Sequence, residues 1–342
     1  MQIAVQPDKN IVLDGLEQSF SDVWRQVAQE FGISIVEIDV NARDVWERLE
    51  NCSAFMWRFP VSATITPKAK ALMLAVAQAQ GKPTFPEMEH LWHIGDKAAG
   101  QKLMEAAGVP SPKTWVFFEK ESALGFVEQA EYPVVFKLPG AAGKSVNVDL
   151  LHERSEARHL VNVVFSCGVD ELWRAKRKQA RVVAGHLKYA LEQWKAKRPP
   201  NGPLIQGVCM FQEFIPNLDS DLRAVIIGEK IILYKRWNRP NDFRASGSGL
   251  VDHGAAECTK EVAEKVYSFA KKLKMNFVTM DIVFREGAPL VLELNHAYVA
   301  ETSNNCSGYW VVRGGQAVWV DEKPEVERFT FEEFLRLKLL TE

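Results

Sequence analysis

The first ninety residues alternate between short apolar runs and amphipathic segments. The runs QIAVQ, from residue 2, and SAFMWRF, from residue 53, have the length of buried strands, and the amphipathic LEQSFSDVWRQVAQEF between them reads as a helix. Strands and helices in alternation build parallel sheets that are covered by helices. The pattern therefore predicts an α/β domain with a parallel sheet over residues 1–90.

A second unit begins near Trp92. The stretch from residue 96 reads as a helix that ends at Gly108, and two prolines follow it, at 110 and 112. The strands WVFF and PVVFKL flank another helical segment. From about residue 153 to residue 205 the chain contains both acidic and basic side chains, and its pattern favours a helical insertion. Strands resume at residue 209, and a helix covers 259–275. These shifts divide the rest of the chain into residues 91–205 and residues 206–342.

The stretch NFVTMDIVFREGAPLVLELNHA predicts a β-hairpin that carries carboxylates. If Phe284 pairs with Leu290 across a five-residue connection, Asp281 lies opposite Glu293, and Asn295 points to the same side as Glu293. Like charges across a ladder are destabilising and require a compensating cation. Carboxylate and amide oxygens suit Mg²⁺, although a solvent-facing polar edge is the simpler alternative.

A glycine-rich loop, FKLPGAAGKSVNV, follows the predicted strand that ends at Lys137. Glycines at 140 and 143, with Ser145, allow backbone N–H groups to close around phosphate oxygens while Lys137 supplies charge. A Walker A loop requires a helix directly afterwards, whereas VNVDLL reads as a strand. A phosphate-binding hairpin loop is the prediction, and an ordinary flexible turn is the alternative.

The segment QEFI, residues 212–215, ends a predicted strand and leads into a polar connection. In that position, the backbone and the Glu213 carboxylate are placed to hydrogen-bond an adenine and a ribose. The segment therefore predicts a nucleotide site.

Arginines accumulate in the stretch after it. Alternation places Asp221 and Arg223 on one face of the next strand, and Arg236 and Arg239 precede a Gly/Ser loop that carries Arg244. Converging guanidinium groups suit phosphate or carboxylate ligands, although each arginine could instead form a surface salt bridge.

Composition limits the classes of function. The 342 residues are 47% hydrophobic, which is ordinary for a globular protein, and the formal net charge of −2 provides no basic field for nucleic acid. The five cysteines are scattered and never in CxxC spacing, which argues against a disulfide framework or a zinc site. No apolar run has the length of a membrane span. A cytoplasmic protein is the expectation.

In combination, these residues resemble the ATP-grasp superfamily, in its branch that includes ribosomal S6 modification enzymes and glutathione synthetase. The resemblance covers about residues 90–300. The stretches NDFRASGSG and CSGYW, with LWHIGDK upstream, are also similar to ATP-grasp proteins of bacterial polysaccharide biosynthesis, of the teichuronopeptide type. The CSGYW stretch continues into VVRGG rather than the usual aspartate, so the acceptor side differs.

This resemblance implies an N-terminal Rossmann-like domain over residues 1–90 and two α+β lobes, residues 91–205 and 206–342, that clamp ATP. It also implies that the protein is an ADP-forming carboxylate–amine ligase that forms an amide through an acylphosphate. The expected substrates are an amine or amino acid and a carboxylate on a sugar or polysaccharide precursor. By resemblance, the nucleotide is bound by Lys97, Lys137, Gly140, Gly143, Ser145, Gln212, Glu213, Phe214, Ile215 and Arg236; Mg²⁺ by Asp281, Glu293 and Asn295; and the transferring phosphoryl group by Arg223 and Arg244.

Three alternatives remain open at this point. One is a ligase that adds an amino acid to a peptide or protein, and a second is an ATP-grasp kinase. The third is a nucleotide-binding protein without turnover, which the complete trio of predicted metal ligands disfavours.

Overall fold

The computed structural model describes residues 1–340 except 9–11, 14–15, 18, 63, 140–147, 170–204 and 297. Within these ranges the chain forms three main sheets and a two-stranded ribbon. No helix in the described ranges is long and apolar enough to cross a membrane.

The strands are numbered in chain order. They are β1 Gln2–Val5, β2 Val12–Leu13, β3 Leu16–Glu17, β4 Ser34–Glu37, β5 Ala54–Met56, β6 Thr84–Phe85, β7 Thr114–Phe117, β8 Val134–Lys137, β9 Val148–Leu151, β10 Cys209–Glu213, β11 Ser220–Ile227, β12 Lys230–Trp237, β13 Val251–Asp252, β14 Phe277–Arg285, β15 Ala288–Asn295, β16 Tyr309–Arg313 and β17 Gln316–Val320.

The helices are numbered in the same way. They are α1 Phe20–Glu30, α2 Val45–Glu50, α3 Ile65–Gln80, α4 Lys97–Ala106, α5 Lys120–Gln129, α6 Arg154–Ser166, α7 Lys260–Lys272, α8 Ala300–Asn304 and α9 Val326–Lys338, with a 3-10 helix over Met88–His93.

The N-terminal sheet is parallel, with the strand order β4-β1-β5-β6. Helix α1 begins where the Ser19 hydroxyl accepts a hydrogen bond from the Asp22 N–H at 3.1 Å, a side-chain N-cap. The α/β pattern predicted from the sequence is confirmed.

The second sheet is antiparallel in the order β7-β10-β8-β9. Lys137 pairs with Val148 across β8 and β9, so the predicted strand–loop–strand arrangement is confirmed on both sides of the loop. Gly140, Gly143 and Ser145 lie outside the described residues. Because β10 pairs between β7 and β8, the chain leaves this sheet after Glu213, beyond the boundary predicted at 205/206.

The third sheet has the strand order β15-β14-β11-β12-β16-β17, with β13 paired to β12. Side chains alternate between its two faces. On one face, Leu222, Ala224 and Ile226 share a buried core with Val266 and Phe269 of α7. The opposite face is apolar at one end and charged at the other, and the charged end contains the candidate site.

The apolar end of that face joins the N-terminal sheet to the third sheet. Phe85 of β6 makes edge-to-face contacts with Trp24 of α1, at 5.6 Å between ring centroids, and with Phe277 of β14, at 5.1 Å. Helix α9 adds Phe334 to the same core. These contacts fix the N-terminal sheet against the end of the third sheet.

The packing of Phe85 gives a stability prediction. Phe85→Ala removes a buried ring from this junction and should lower the free energy of unfolding by about 3–5 kcal/mol. Chemical denaturation checks the value. Phe118→Ala is the control, because that ring is 71% exposed and its loss should change stability by less than about 0.5 kcal/mol. Equal losses in the two variants would contradict the role of Phe85.

Candidate active site

The β14–β15 hairpin carries the candidate ligands in a register set by a tight turn and a bulge. Arg285 pairs with Ala288, and the two residues between them, Glu286 and Gly287, have φ of 52° and 80°. Positive φ at both central positions is typical of two-residue hairpin turns. The predicted five-residue connection is therefore wrong, because a turn with this conformation joins the strands in two residues.

A β-bulge nevertheless brings the predicted carboxylates into register. Ile282 pairs with Val291 and Asp281 pairs with Glu293, so Leu292 is the extra residue on β15. Asp281 opposite Glu293 is thus confirmed. Two residues further along β15, Asn295 lies opposite Thr279.

The two carboxylates are neutralised by basic side chains from other elements. Lys97 Nζ lies 2.9 Å from Glu293 Oε1. On Asp281, Arg223 Nε lies 2.8 Å from Oδ1 and Arg236 Nη2 lies 3.0 Å from Oδ2. The compensating charge that the sequence required is therefore supplied in this structure by one lysine and two arginines.

The lysines reach β15 from two directions. Helix α4 begins at Lys97 because the Asp96 carboxylate accepts hydrogen bonds from the N–H groups of Ala98 and Ala99, both at 3.0 Å. From the second sheet, Lys137 Nζ donates to the carbonyl of the bulged Leu292 at 3.4 Å. The bulge therefore faces both the α4 N-terminus and the end of β8.

A further carboxylate extends the arrangement across the sheet. Asp221 lies opposite Arg236 in the ladder and accepts two hydrogen bonds from it, at 2.7 Å from Nε and 2.6 Å from Nη2. Sequence reasoning placed Asp221 beside Arg223 but left it out of the predicted site. We refer below to the charged cluster, which consists of Lys97, Lys137, Asp221, Arg223, Arg236, Asp281 and Glu293.

Burial shapes the ionisation of this cluster. Burial alone would raise the pKa of Asp281, but the adjacent Arg223 and Arg236 lower it below the usual value, so this carboxylate is ionised. Burial lowers the pKa of Lys137 to about 8, against the attraction of Glu293. Lys137 is therefore a cation whose charge depends on pH in the neutral to alkaline range.

Several buried polar atoms on this face remain without a hydrogen-bond partner among the described residues. They include Thr279 Oγ1, Arg223 Nε and Asp281 Oδ1. The last two atoms lie 2.8 Å apart and form an ion pair, but not a hydrogen bond of good geometry. In the described ranges, no three His, Cys, Asp or Glu side chains are grouped so as to hold a metal ion. Two carboxylates and the Asn295 amide form an oxygen-only set, which fits a hard cation that keeps waters and phosphate oxygens as its other ligands.

The predicted nucleotide residues at the end of β10 form their side-chain contacts with residues outside the charged cluster. Gln212 is buried, and its side-chain amide donates to Thr114 Oγ1 at 2.9 Å. Glu213 Oε1 lies 2.6 Å from Arg285 Nη2, and the half-buried Phe214 and Ile215 follow where the chain passes to the third sheet. These four residues mark the crossing between two sheets.

The remaining predicted arginine is held on the loop after β12. Arg244 forms an ion pair with Asp242. On the same loop, Arg239 Nη2 donates to the carbonyls of Ser246 and Gly247 at 2.9 and 2.8 Å. The structure thus brings Arg223 and Arg236 into the charged cluster and pairs Arg244 within its own loop.

Comparisons with known proteins place this geometry in context. No protein-family model matches the sequence. Over 78 residues, 22% of this chain, it is 36% identical to a phosphoribosylamine–glycine ligase of Fusobacterium nucleatum subsp. nucleatum. Over 211 residues, 61% of this chain, it is 23% identical to the glutamate–LysW ligase ArgX of Sulfurisphaera tokodaii. The matches span 18% and 62% of the length of these curated relatives.

Solved structures are similar over nearly the whole chain. The RimK domain ATP-grasp protein of Sphaerobacter thermophilus has a TM-score of 0.55 and 15% identity, over 98% of this chain and 100% of that one. D-cycloserine synthetase DcsG gives 0.57 and 16%, over 99% and 100% of the two chains. The ATP-grasp ligase PsnB with a minimal precursor gives 0.54 and 15%, over 92% and 95%. The chain therefore has the ATP-grasp fold, with an N-terminal parallel sheet that packs against the third sheet, and two antiparallel sheets.

Proposed function

We propose that this protein is an ATP-dependent carboxylate–amine ligase that releases ADP. The observation that carries the proposal is the charged cluster, in which side chains from helix α4, the second sheet and the third sheet meet at the β15 bulge. The ligases among the curated relatives and the fold support the same activity.

Charge assigns roles within the cluster. Lys97 and Lys137 are the cations for the phosphate oxygens of ATP, and the partly buried Arg223 and the buried Arg236 are further donors in the same cluster. Asp281, Glu293 and Asn295 would hold Mg²⁺. The chemistry that the ion would supply there is positive charge against the negative charge that develops on the phosphate oxygens during transfer.

The proposed reaction has two steps. A substrate carboxylate oxygen attacks the γ-phosphorus, the bond to the β-bridging oxygen breaks, and ADP leaves with that electron pair. The amine nitrogen then attacks the acyl carbon, expels inorganic phosphate and forms the amide, with loss of a proton from nitrogen. Arg223, and Arg244 when released from Asp242, are the proposed donors to the transferring phosphoryl group.

The nucleotide base belongs, in this proposal, at the crossing between the sheets. Gln212, Glu213, Phe214 and Ile215 offer backbone groups, a carboxylate and apolar surface there. Gly140, Gly143 and Ser145, in the loop between β8 and β9, are proposed to cover the phosphates.

Two substrate classes follow from different observations. The NDFRASGSG and CSGYW stretches support an amine or amino acid joined to a carboxylate of a sugar or polysaccharide precursor, as in proteins of the teichuronopeptide type. The likeness to a glutamate–LysW ligase favours the second candidate, an amino acid joined to a peptide or protein.

The reaction type is tested by trapping the intermediate. The protein is incubated with ATP, Mg²⁺ and hydroxylamine, and with each of a panel of amino acids, dicarboxylates, uronic acids and carboxylate-ending peptides. A ligase should release ADP and convert one carboxylate class to its hydroxamate, because hydroxylamine intercepts an acylphosphate. ADP release with a phosphorylated alcohol and no hydroxamate would establish a kinase instead, and no ADP release with any acceptor would contradict the proposal.

Glu293→Gln should reduce ADP release by at least about a hundredfold, because it removes one of two carboxylates proposed to hold the metal. Its matched control is Glu257→Gln, which also breaks a Lys–Glu pair, with Lys235 at 2.6 Å, but outside the charged cluster. The control should retain activity within about twofold, and both variants should keep a cooperative thermal transition. Equal activity in the two variants would exclude Glu293 from the site.

Lys137 gives a prediction about pH. Its pKa is lowered to about 8 in the free protein, so it is protonated below pH 8 and neutral above, and a bound phosphate favours the protonated form. ADP affinity measured by calorimetry should therefore fall as pH rises above 8, by up to about tenfold per pH unit. Lys137→Arg remains charged and should show a flatter profile. The same fall in both proteins would assign the pH dependence to another group.

A further inference from the structure

Asp221 has no role in the proposed chemistry, yet it is one of the most buried carboxylates of the third sheet. Its two oxygens accept hydrogen bonds from Arg236, and Arg236 Nη2 also lies 3.0 Å from Asp281 Oδ2. All three side chains are less than 10% exposed. One guanidinium nitrogen is therefore shared between Asp221 and a proposed metal ligand.

We propose that Asp221 is a positioning residue that holds Arg236 between two carboxylates and so keeps Asp281 available to a divalent cation. The proposal rests on the function proposed above. It goes further because it assigns to Asp221 control over the metal dependence of nucleotide binding.

Charge counting explains the direction of the effect. The charged cluster contains four basic and three acidic side chains, so its formal charge is +1. Loss of the Asp221 charge raises it to +2 and leaves Asp281 as the remaining carboxylate partner of Arg236 in the cluster. Both changes oppose the binding of a cation at Asp281, whereas neither weakens the attraction for phosphate.

The inference therefore predicts opposite responses to two ligands. Mg²⁺ is expected to strengthen ADP binding. In Asp221→Asn, the Mg²⁺ concentration that gives half of this increase in affinity should rise at least about tenfold. The affinity for ADP without metal should be equal to that of the unsubstituted protein or higher. A residue with a purely structural role would change neither quantity in this way.

Calorimetric titration of ADP, with EDTA and at increasing Mg²⁺, tests this in the 342-residue chain. Glu333→Gln is the matched control, since Glu333 is also buried and accepts two hydrogen bonds from one arginine, Arg336, at 2.9 and 2.6 Å. It lies against Gly228, at the other end of β11 from Asp221. The control should lose thermal stability and keep the Mg²⁺ dependence of the unsubstituted protein.

The possible outcomes are distinct. A lower melting temperature with unchanged Mg²⁺ dependence in Asp221→Asn would overturn the inference and leave Asp221 as a structural residue. Weaker metal-free ADP binding would also overturn it, because Asp221 would then contact the nucleotide directly. If Asp221→Asn does not fold, Asp221→Glu decides: it keeps the charge and should need less than about threefold more Mg²⁺, and a larger increase overturns the inference.

The same titration separates this inference from the proposed function. If the unsubstituted protein binds no ADP at any Mg²⁺ concentration, the proposed function fails and the inference fails with it. If the unsubstituted protein binds Mg²⁺ and ADP together and only the Asp221 result disagrees, the proposed function stands and the inference alone is overturned.

Discussion

The buried carboxylate of Asp281 is the group around which the charged end of the third sheet is organised. A single ionised carboxylate in this environment carries a large desolvation cost unless charged partners surround it. Arg223 on β11 and Arg236 on β12 supply those partners, and both are placed by ladder positions in the same sheet. Removal of either arginine would therefore leave the buried Asp281 carboxylate with one guanidinium partner instead of two.

The division of the sheet face into apolar and charged ends explains how the rest of the chain packs around it. Strand β11 places Val225 and Ile227 in the core shared with the N-terminal sheet, and, on the same face, Asp221 and Arg223 in the charged cluster. The N-terminal sheet covers the apolar end because burial of that surface is favourable. The charged end faces Lys97 and Lys137 instead.

The bulge at Leu292 connects local backbone geometry to the chemistry. With the tight turn at Glu286 and Gly287, an unbroken ladder would place Asp281 opposite Leu292 and would turn Glu293 to the other face of the sheet. The extra residue restores Asp281 and Glu293 as neighbours. It also presents the Leu292 carbonyl to Lys137, so the same irregularity helps to join the second sheet to the third.

The sequence by itself determined most of the strands and helices and the parallel character of the first sheet, because alternation and turn residues act over short distances. It also predicted that Asp281 faces Glu293, but this register arises from a two-residue turn and the bulge at Leu292 rather than from the predicted five-residue connection. It also indicated Lys137, Arg223 and Arg236 as candidates by residue type and position, and Lys97 through the family resemblance. Only the tertiary structure decided which charges pair, that β10 belongs to the second sheet and that Asp221 joins the cluster. Those outcomes depend on contacts between residues far apart in the chain, and local patterns of polarity do not encode which distant partner a charge meets.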